Sequence, residues 1–296
     1  MSSFYPDRRT ITHFRFALID ATYREELPSS WPTTVVAPSF LEDDTDRSPA
    51  LVDLPALPDD ERAEWCDHLH HEVMSVRDTR ASLLLATESS ATSLAAHLAR
   101  RMVIRVPGQD HPLQWRFFDP GTCLQMPRLL GPTGLAWLMG PVKDIMVPWA
   151  GEWSRIEQPQ DVSPEAVHDF KLSQEHIAAL LRLAAVNRAA MACPAPANAQ
   201  AWTDQCAALN QHVLKAQTQY GLNMRDDLVA FALHAHTLHP DIHRHPRLQP
   251  LLLAAREAKP EDATGYQELT GTLLPEDWQR ILCDIQNTEP QDTLSP

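Results

Sequence analysis

Short apolar runs alternate with helical stripes over the first half of the chain, and helical stripes alone continue over the second. RFALIDA (15–21) is a compact apolar run ending on a carboxylate, the pattern of a buried strand. The Pro-, Ser-, Thr- and Asp-rich stretch 22–48 reads as loop with one strand at TTVVA (33–37). PALVDLPAL (49–57) predicts another strand, limited in length by the prolines that bracket it. In DDERAEWCDHLHHEVMSV (59–76), Trp65, Leu69, Val73 and Val76 recur at helical spacing, and the acidic first turn complements the helix dipole. SLLLAT (82–87) is the clearest strand. Ser89 or Ser90 can cap the helix that follows, whose stripe is Ala91, Leu94, Ala95, Leu98 and Met102. VIRV (103–106) and LQWRFF (113–118) flank PGQDHP, a turn between antiparallel strands. Strict alternation would put Trp115 and Phe117 on one face, with Arg116 and Phe118 on the other.

After about residue 160 no strand pattern remains. LSQEHIAALLRLAAVNRAAMA (172–192) predicts a helix capped by Ser173, and CPAPANA (193–199) breaks it. AWTDQCAALNQHVLKAQTQYG (201–221) predicts a second helix stopped by Gly221, and MRDDLVAFALHAHTL (224–238) a third stopped by Pro240. Shorter helices fit 247–258 and 275–286, the latter with Pro275 at a first helical position. The fold expected is an α/β N-terminal domain, a mixed sheet with flanking helices, followed by an all-α C-terminal lobe. EQPQDVSPEA (157–166) supplies the boundary, giving domains at 1–158 and 159–288 and a disordered tail at 289–296.

Charge narrows the choice of partner. The formal net charge is −14, and residues 42–72 hold eleven acidic and two basic residues. Such a chain is repelled by a phosphate backbone, which argues against nucleic acid as a partner. No apolar stretch approaches the ~20 residues of a membrane span, and MSSFYPDRRTITHF has no signal-peptide core. A cytoplasmic chain without a membrane partner is expected. The five cysteines are widely spaced without a C-x-x-C pair, so reduced thiols are expected.

The sequence offers three candidate chemistries. Asp20, Glu88 and Asp119 each follow an apolar run, and at one edge of a parallel sheet they could hold magnesium for phosphoester hydrolysis. No Gly-rich phosphate loop accompanies them, and carboxylates at strand ends commonly serve as caps. The histidines of HAHTLHPDIHRH (234–245) and CDHLHH (66–71) lack metal-ligand spacing, so no metal and no cofactor is expected. Cys123 follows D-P-G-T near a helix start, but no base is identifiable beside it, and a small buried residue is the stronger reading. The aromatics point elsewhere. Trp115, Phe117 and Phe118 surround Arg116, and Trp137, Trp149 and Trp153 follow within 40 residues, a composition suited to a core or a protein interface.

The order LIDAT (18–22), PALVDLP (49–55), LLLATE (83–88), HLARRM (97–102), LQWRFFDP (113–120) and LMGPVKDIMVPWAGEW (138–153) resembles the effector-chaperone (adaptor) family of bacterial type VI secretion. Its sharpest element is RFFDP, with Arg116, Phe117, Phe118, Asp119 and Pro120 matching the family's Arg-Phe-aromatic-Asp-Pro step. The chain departs at Gly121, where the family often has a basic residue, and in the proline-broken stretch 22–48. The resemblance implies a cytoplasmic, non-enzymatic adaptor of a Gram-negative bacterium. Its partners would be a secreted effector toxin, the VgrG spike and a PAAR-containing protein. Asp20, Arg116, Phe117, Phe118, Asp119, Pro120, Trp149 and Trp153 would form its structural or partner-binding motif, and the helical lobe would carry cargo specificity.

Overall fold

A computed structural model describes residues 2–4, 11, 13–41, 45–74, 80–257 and 264–288. The predicted tail at 289–296 and Val76 lie outside the described residues. The strands are β1 (Ser2–Phe4), β2 (Phe16–Ile19), β3 (Thr33–Val35), β4 (Ala50–Asp53), β5 (Ala81–Ala86), β6 (Val103–Ile104), β7 (Leu113–Gln114), β8 (Asp144–Trp149) and β9 (Glu152–Glu157). The helices of the first half are α1 (Ala21–Arg24), α2 (Asp59–Met74), α3 (Ala91–Arg101), α4 (Pro120–Cys123), α5 (Met126–Met139) and α6 (Pro164–Asp169). Those of the second are α7 (Gln174–Ala192), α8 (Ala199–Tyr220), α9 (Arg225–Thr237), α10 (Gln249–Glu257), α11 (Tyr266–Gly271) and α12 (Pro275–Thr288). An α/β N-terminal region is followed by a largely helical lobe.

The chain forms two compact units, one of residues 1–180 and 196–203, the other of residues 181–195 and 204–296. The division falls inside α7 and α8, and the segment 157–166 belongs to the first unit. In that unit seven strands form one sheet in the order β1-β9-β8-β5-β2-β4-β3, while β6 and β7 pair separately. Every pairing is antiparallel, where a mixed sheet was predicted. The long connection from β5 to β8 contains two long helices, α3 and α5, with the short α4 between them. A single crossover helix returns the chain to the start of a parallel neighbour, and a second traverse reverses it again.

Both sheet faces are buried. Ala17, Ile19, Val52, Leu84 and Met146 pack with Trp65, Leu69 and Val73 of α2. The alternate set, Phe16, Leu18, Leu51, Leu83 and Leu85, is no more than 1% exposed. Each such side chain stabilises the fold by about 1.5–3 kcal/mol relative to exposure. Ser90 accepts from Ser93 N at 3.3 Å to start α3. On that helix the buried His97 donates from Nε2 to the Leu138 carbonyl at 2.9 Å. Its ring leaves no room at Gly140, where an added Cβ would lie 2.1 Å from the imidazole and φ is +55°.

Two predicted strands are shorter than expected. VIRV narrows to Val103–Ile104 and LQWRFF to Leu113–Gln114. From Trp115 the chain leaves the ladder and turns, which lets Trp115, Phe117 and Phe118 all be buried. Strand alternation therefore does not govern them. The β8–β9 hairpin was not predicted. Its turn, Ala150-Gly151, has positive φ at both residues (50° and 83°), the two-residue geometry that matches sheet twist.

In the second unit, Ile242, Leu248 and Ile281 form a core with Trp278 and Leu282 packed against it. Asp227, buried on α9, accepts from Gln267 N at 3.0 Å and so holds the start of α11. Gly221 ends α8 with φ +69°, as its place in the sequence predicts. Among the described residues no helix is long and apolar enough to cross a membrane.

Candidate functional site

The RFFDP step folds into a tight structure around Arg116. Asp119 N donates to the Arg116 carbonyl at 3.2 Å, closing a turn whose two central residues are Phe117 and Phe118. Their rings meet edge to face at 6.0 Å and both are buried. Pro120 then occupies the first helical position of α4, where its missing N–H costs nothing. The Asp119 carbonyl receives Thr122 N and Cys123 N at 2.9 and 2.8 Å. This leaves the Asp119 carboxylate free of capping duty.

That carboxylate turns back to Arg116. The Arg116 Nε donates to both Asp119 oxygens at 3.1 Å, and Nη2 donates to Oδ1 at 2.8 Å. The same Nη2 donates to Asp20 Oδ2 at 2.5 Å. Asp20 directly follows β2 and caps α1, its other oxygen accepting Thr22 N at 2.9 Å. Below the guanidinium, 4.9 Å away, lies the Phe118 ring. One arginine thus joins the end of β2 to the start of α4, with its side chain 41% exposed against 14% for Asp20 and 40% for Asp119.

The two carboxyls respond differently to this arrangement. For Asp20, burial pushes upward, but the Thr22 N–H and hydroxyl together with Arg116 outweigh it, and the net direction is down. For Asp119, burial dominates over the Arg116 bonds, and the neighbouring Asp20 charge adds to it, so the direction is up. Burial lowers Arg116, and its two carboxylate partners more than offset this, keeping it firmly charged.

Tryptophans pack against the same helix start. Trp202 Nε1 and Gln125 Nε2 each donate to the Gly121 carbonyl at 2.9 Å. Trp149 and Trp202 lie 4.3 Å apart, and a Cβ on residue 121 would meet Trp202 at 2.9 Å and Trp149 at 3.1 Å. Glycine is required here because two indoles occupy the space of a side chain. No sequence signal singles out Trp202. Asn198, which accepts Ala201 N at 2.8 Å, marks its helix start, but nothing local ties residue 202 to residue 121. Trp153 lies elsewhere, in the sheet core, opposite Phe4 and Pro148.

The proposed magnesium trio does not assemble. Because β2 and β5 are antiparallel, with Phe16 opposite Leu85 and Ile19 opposite Ala81, Asp20 and Glu88 leave opposite ends of the sheet. They are separated by roughly 20 Å along the strand direction. Glu88 is instead an exposed residue paired with Lys143 at 2.5 Å, which holds its carboxyl below the usual range. Convergence at one edge needs parallel strands, and among the described residues this sheet has none.

The histidine run is likewise dispersed. His234 Nδ1 meets the Tyr266 hydroxyl at 3.1 Å, His236 faces His212, and His239 Nδ1 accepts Asp241 N. His243 stacks on Phe231 at 3.3 Å, and His245 reaches Asp284. In the first cluster Cys66 is buried while His68, His70 and His71 are exposed. Among the described residues no group of three His, Cys, Asp or Glu side chains is placed to hold a metal ion. Cys123 is buried, and burial together with the Asp119 charge pushes its thiol up to about 12, the opposite of an activated nucleophile.

No protein-family model, no curated protein and no solved structure matches the chain.

Proposed function

We propose that the chain is a cytoplasmic chaperone or adaptor of type VI secretion, which binds one effector toxin and helps load it onto the VgrG spike, with a PAAR-containing protein as a further partner. The observation that supports this reading is the hub at Arg116. The motif residues on which the resemblance rests, Asp20, Arg116 and Asp119, are 96 and 3 residues apart and meet at one guanidinium. In this reading Arg116 and Asp119 hold the N-terminal domain in shape, with Phe117 and Phe118 as their buried base. Binding falls to exposed surface, and the helical lobe carries cargo specificity.

Binding rather than turnover suits this site. Its arginine is paired with two carboxylates, the thiol of Cys123 is buried, and its surroundings include indole and phenyl rings. The test is genetic. Deleting the gene in its host, with secretion switched on, should stop export of one effector while other cargo still leaves the cell. Unchanged export of every effector would refute the adaptor assignment.

A further inference from the structure

We propose that the free edge of β3 and the groove beside it form a docking site for an extended, acidic segment of a partner protein. β3 is the last strand of the seven-stranded sheet. Val36 N donates to Pro49 O and Asp53 N donates to Pro32 O, so the even-numbered residues of this strand face β4. By alternation the N–H and C=O groups of Thr33 and Val35 point outward. No partner for them exists among the described residues, and both side chains are exposed, Val35 by 41%. A sheet edge of this kind is a template for another strand.

The space that such a strand would enter is already open. A groove of about 570 Å³ runs from Thr34 and Val35 to α3, where Thr92, Ala95, Ala96 and Ala99 line it. A strand added to β3 would lie ~4.8 Å from it, with alternate side chains directed at this alanine floor. From Thr92 to Arg100 the helix rises about 12 Å, enough for three to four strand residues. Larger residues on α3 would fill the groove and cover the edge.

Charge identifies the occupant. Arg100 and Arg105 line the groove beside Val103, and neither has an acidic partner among the described residues. In a chain of net charge −14, two arginines at one groove with no acidic partner among the described residues favour a segment that brings its own carboxylates. The occupant is therefore a β-forming segment of another protein with Asp or Glu beside a short apolar stretch. This inference stands apart from the secretion reading, because the groove would bind such a segment whatever cellular process supplies it.

The experiment selects a phage-displayed library of random 12-residue peptides on the full chain. The best peptide, made synthetically, is then measured by fluorescence anisotropy on wild type, Val35→Pro, Ala96→Trp and the pair Arg100→Glu/Arg105→Glu. Val35→Pro removes an outward N–H without touching the β4 ladder, and Ala96→Trp fills the groove from an exposed position. Acidic, β-branched peptides should be enriched, and each variant that keeps its thermal midpoint should bind at least tenfold more weakly. If Val35→Pro fails to fold, Ala96→Trp decides. No enrichment, peptides without acidic residues, or binding within twofold of wild type in the folded variants would overturn the proposal. So would a dimer of the chain that Val35→Pro dissolves, since the edge would then belong to a second copy.

Discussion

Arg116 and Asp20 stand 96 residues apart in the chain and 2.5 Å apart in the fold, and Asp119 shares the same guanidinium. The pair fastens the end of a central strand to a turn that lies outside the sheet. Its value is positional: it decides where the Phe117–Phe118 turn and the first residues of α4 sit. Exposure near 40% for Arg116 and Asp119 tempers the ionic contribution, so the hydrogen-bond geometry carries most of the effect.

Asp119→Ala removes three hydrogen bonds to Arg116 and should destabilise the protein by about 1–3 kcal/mol. Asp20→Ala should cost a similar amount, with about 1 kcal/mol of it from the lost cap on α1. Urea denaturation measures both. A double variant that loses less than the sum of the two single losses would show that the two act through Arg116. Normal stability with lost partner binding would contradict a structural role.

Gly140→Ala should destabilise by about 2–4 kcal/mol, because a Cβ strains the positive φ and strikes the buried His97 ring. Thermal unfolding reads this directly. Adding His97→Ala should recover part of the loss, since it removes the obstacle and leaves the backbone strain.

Gly121→Arg should be damaging. The side chain would have to displace Trp149 and Trp202. A fall in thermal midpoint and a red shift of tryptophan emission are expected. An unchanged spectrum would mean that the indole pair does not depend on this glycine.

Acid should weaken the fold before the carboxylates titrate. Burial is the main reason that His97 is lowered to about 4, helped by Arg101 and Arg100 and opposed by the Leu138 carbonyl. Folded His97 is thus neutral where unfolded histidine, near 6.5, begins to take up a proton. Its contribution is present above pH 6.5 and is lost as pH falls toward 4, with a full effect of order 3 kcal/mol. His234 and His243 are lowered in the same sense, both chiefly by burial. Urea midpoints between pH 7 and 4 should fall, and His97→Gln should flatten the curve. A curve unaffected by that substitution would contradict the assignment.

What was legible in the sequence divides along physical lines. β2, β4 and β5 announce themselves as apolar runs, and α3, α8 and α12 carry their own caps and stops. The β8–β9 hairpin was hidden by Pro148 inside a strand, a residue tolerated because the β5 pairing ends at Met146. α5 was hidden by Gly131, Pro132 and Gly134, with φ +64° at Gly131 marking a kink within it. At the site, Arg116 and Asp119 are close enough in sequence for their pairing to be anticipated. Asp20 enters only through long-range topology, and Trp202 reaches Gly121 across 81 residues. Strand direction decided the rest. Apolar runs reveal that strands exist but not which way neighbours run, and the antiparallel β2–β5 pairing separates Asp20 from Glu88.

The central claim is that this chain works by holding partners. Affinity capture of the tagged full-length protein from its native host, with secretion switched on and associated proteins identified by mass spectrometry, tests that most directly. Recovery of a VgrG spike protein or of a toxin encoded beside this gene is expected. Recovery of neither would contradict it.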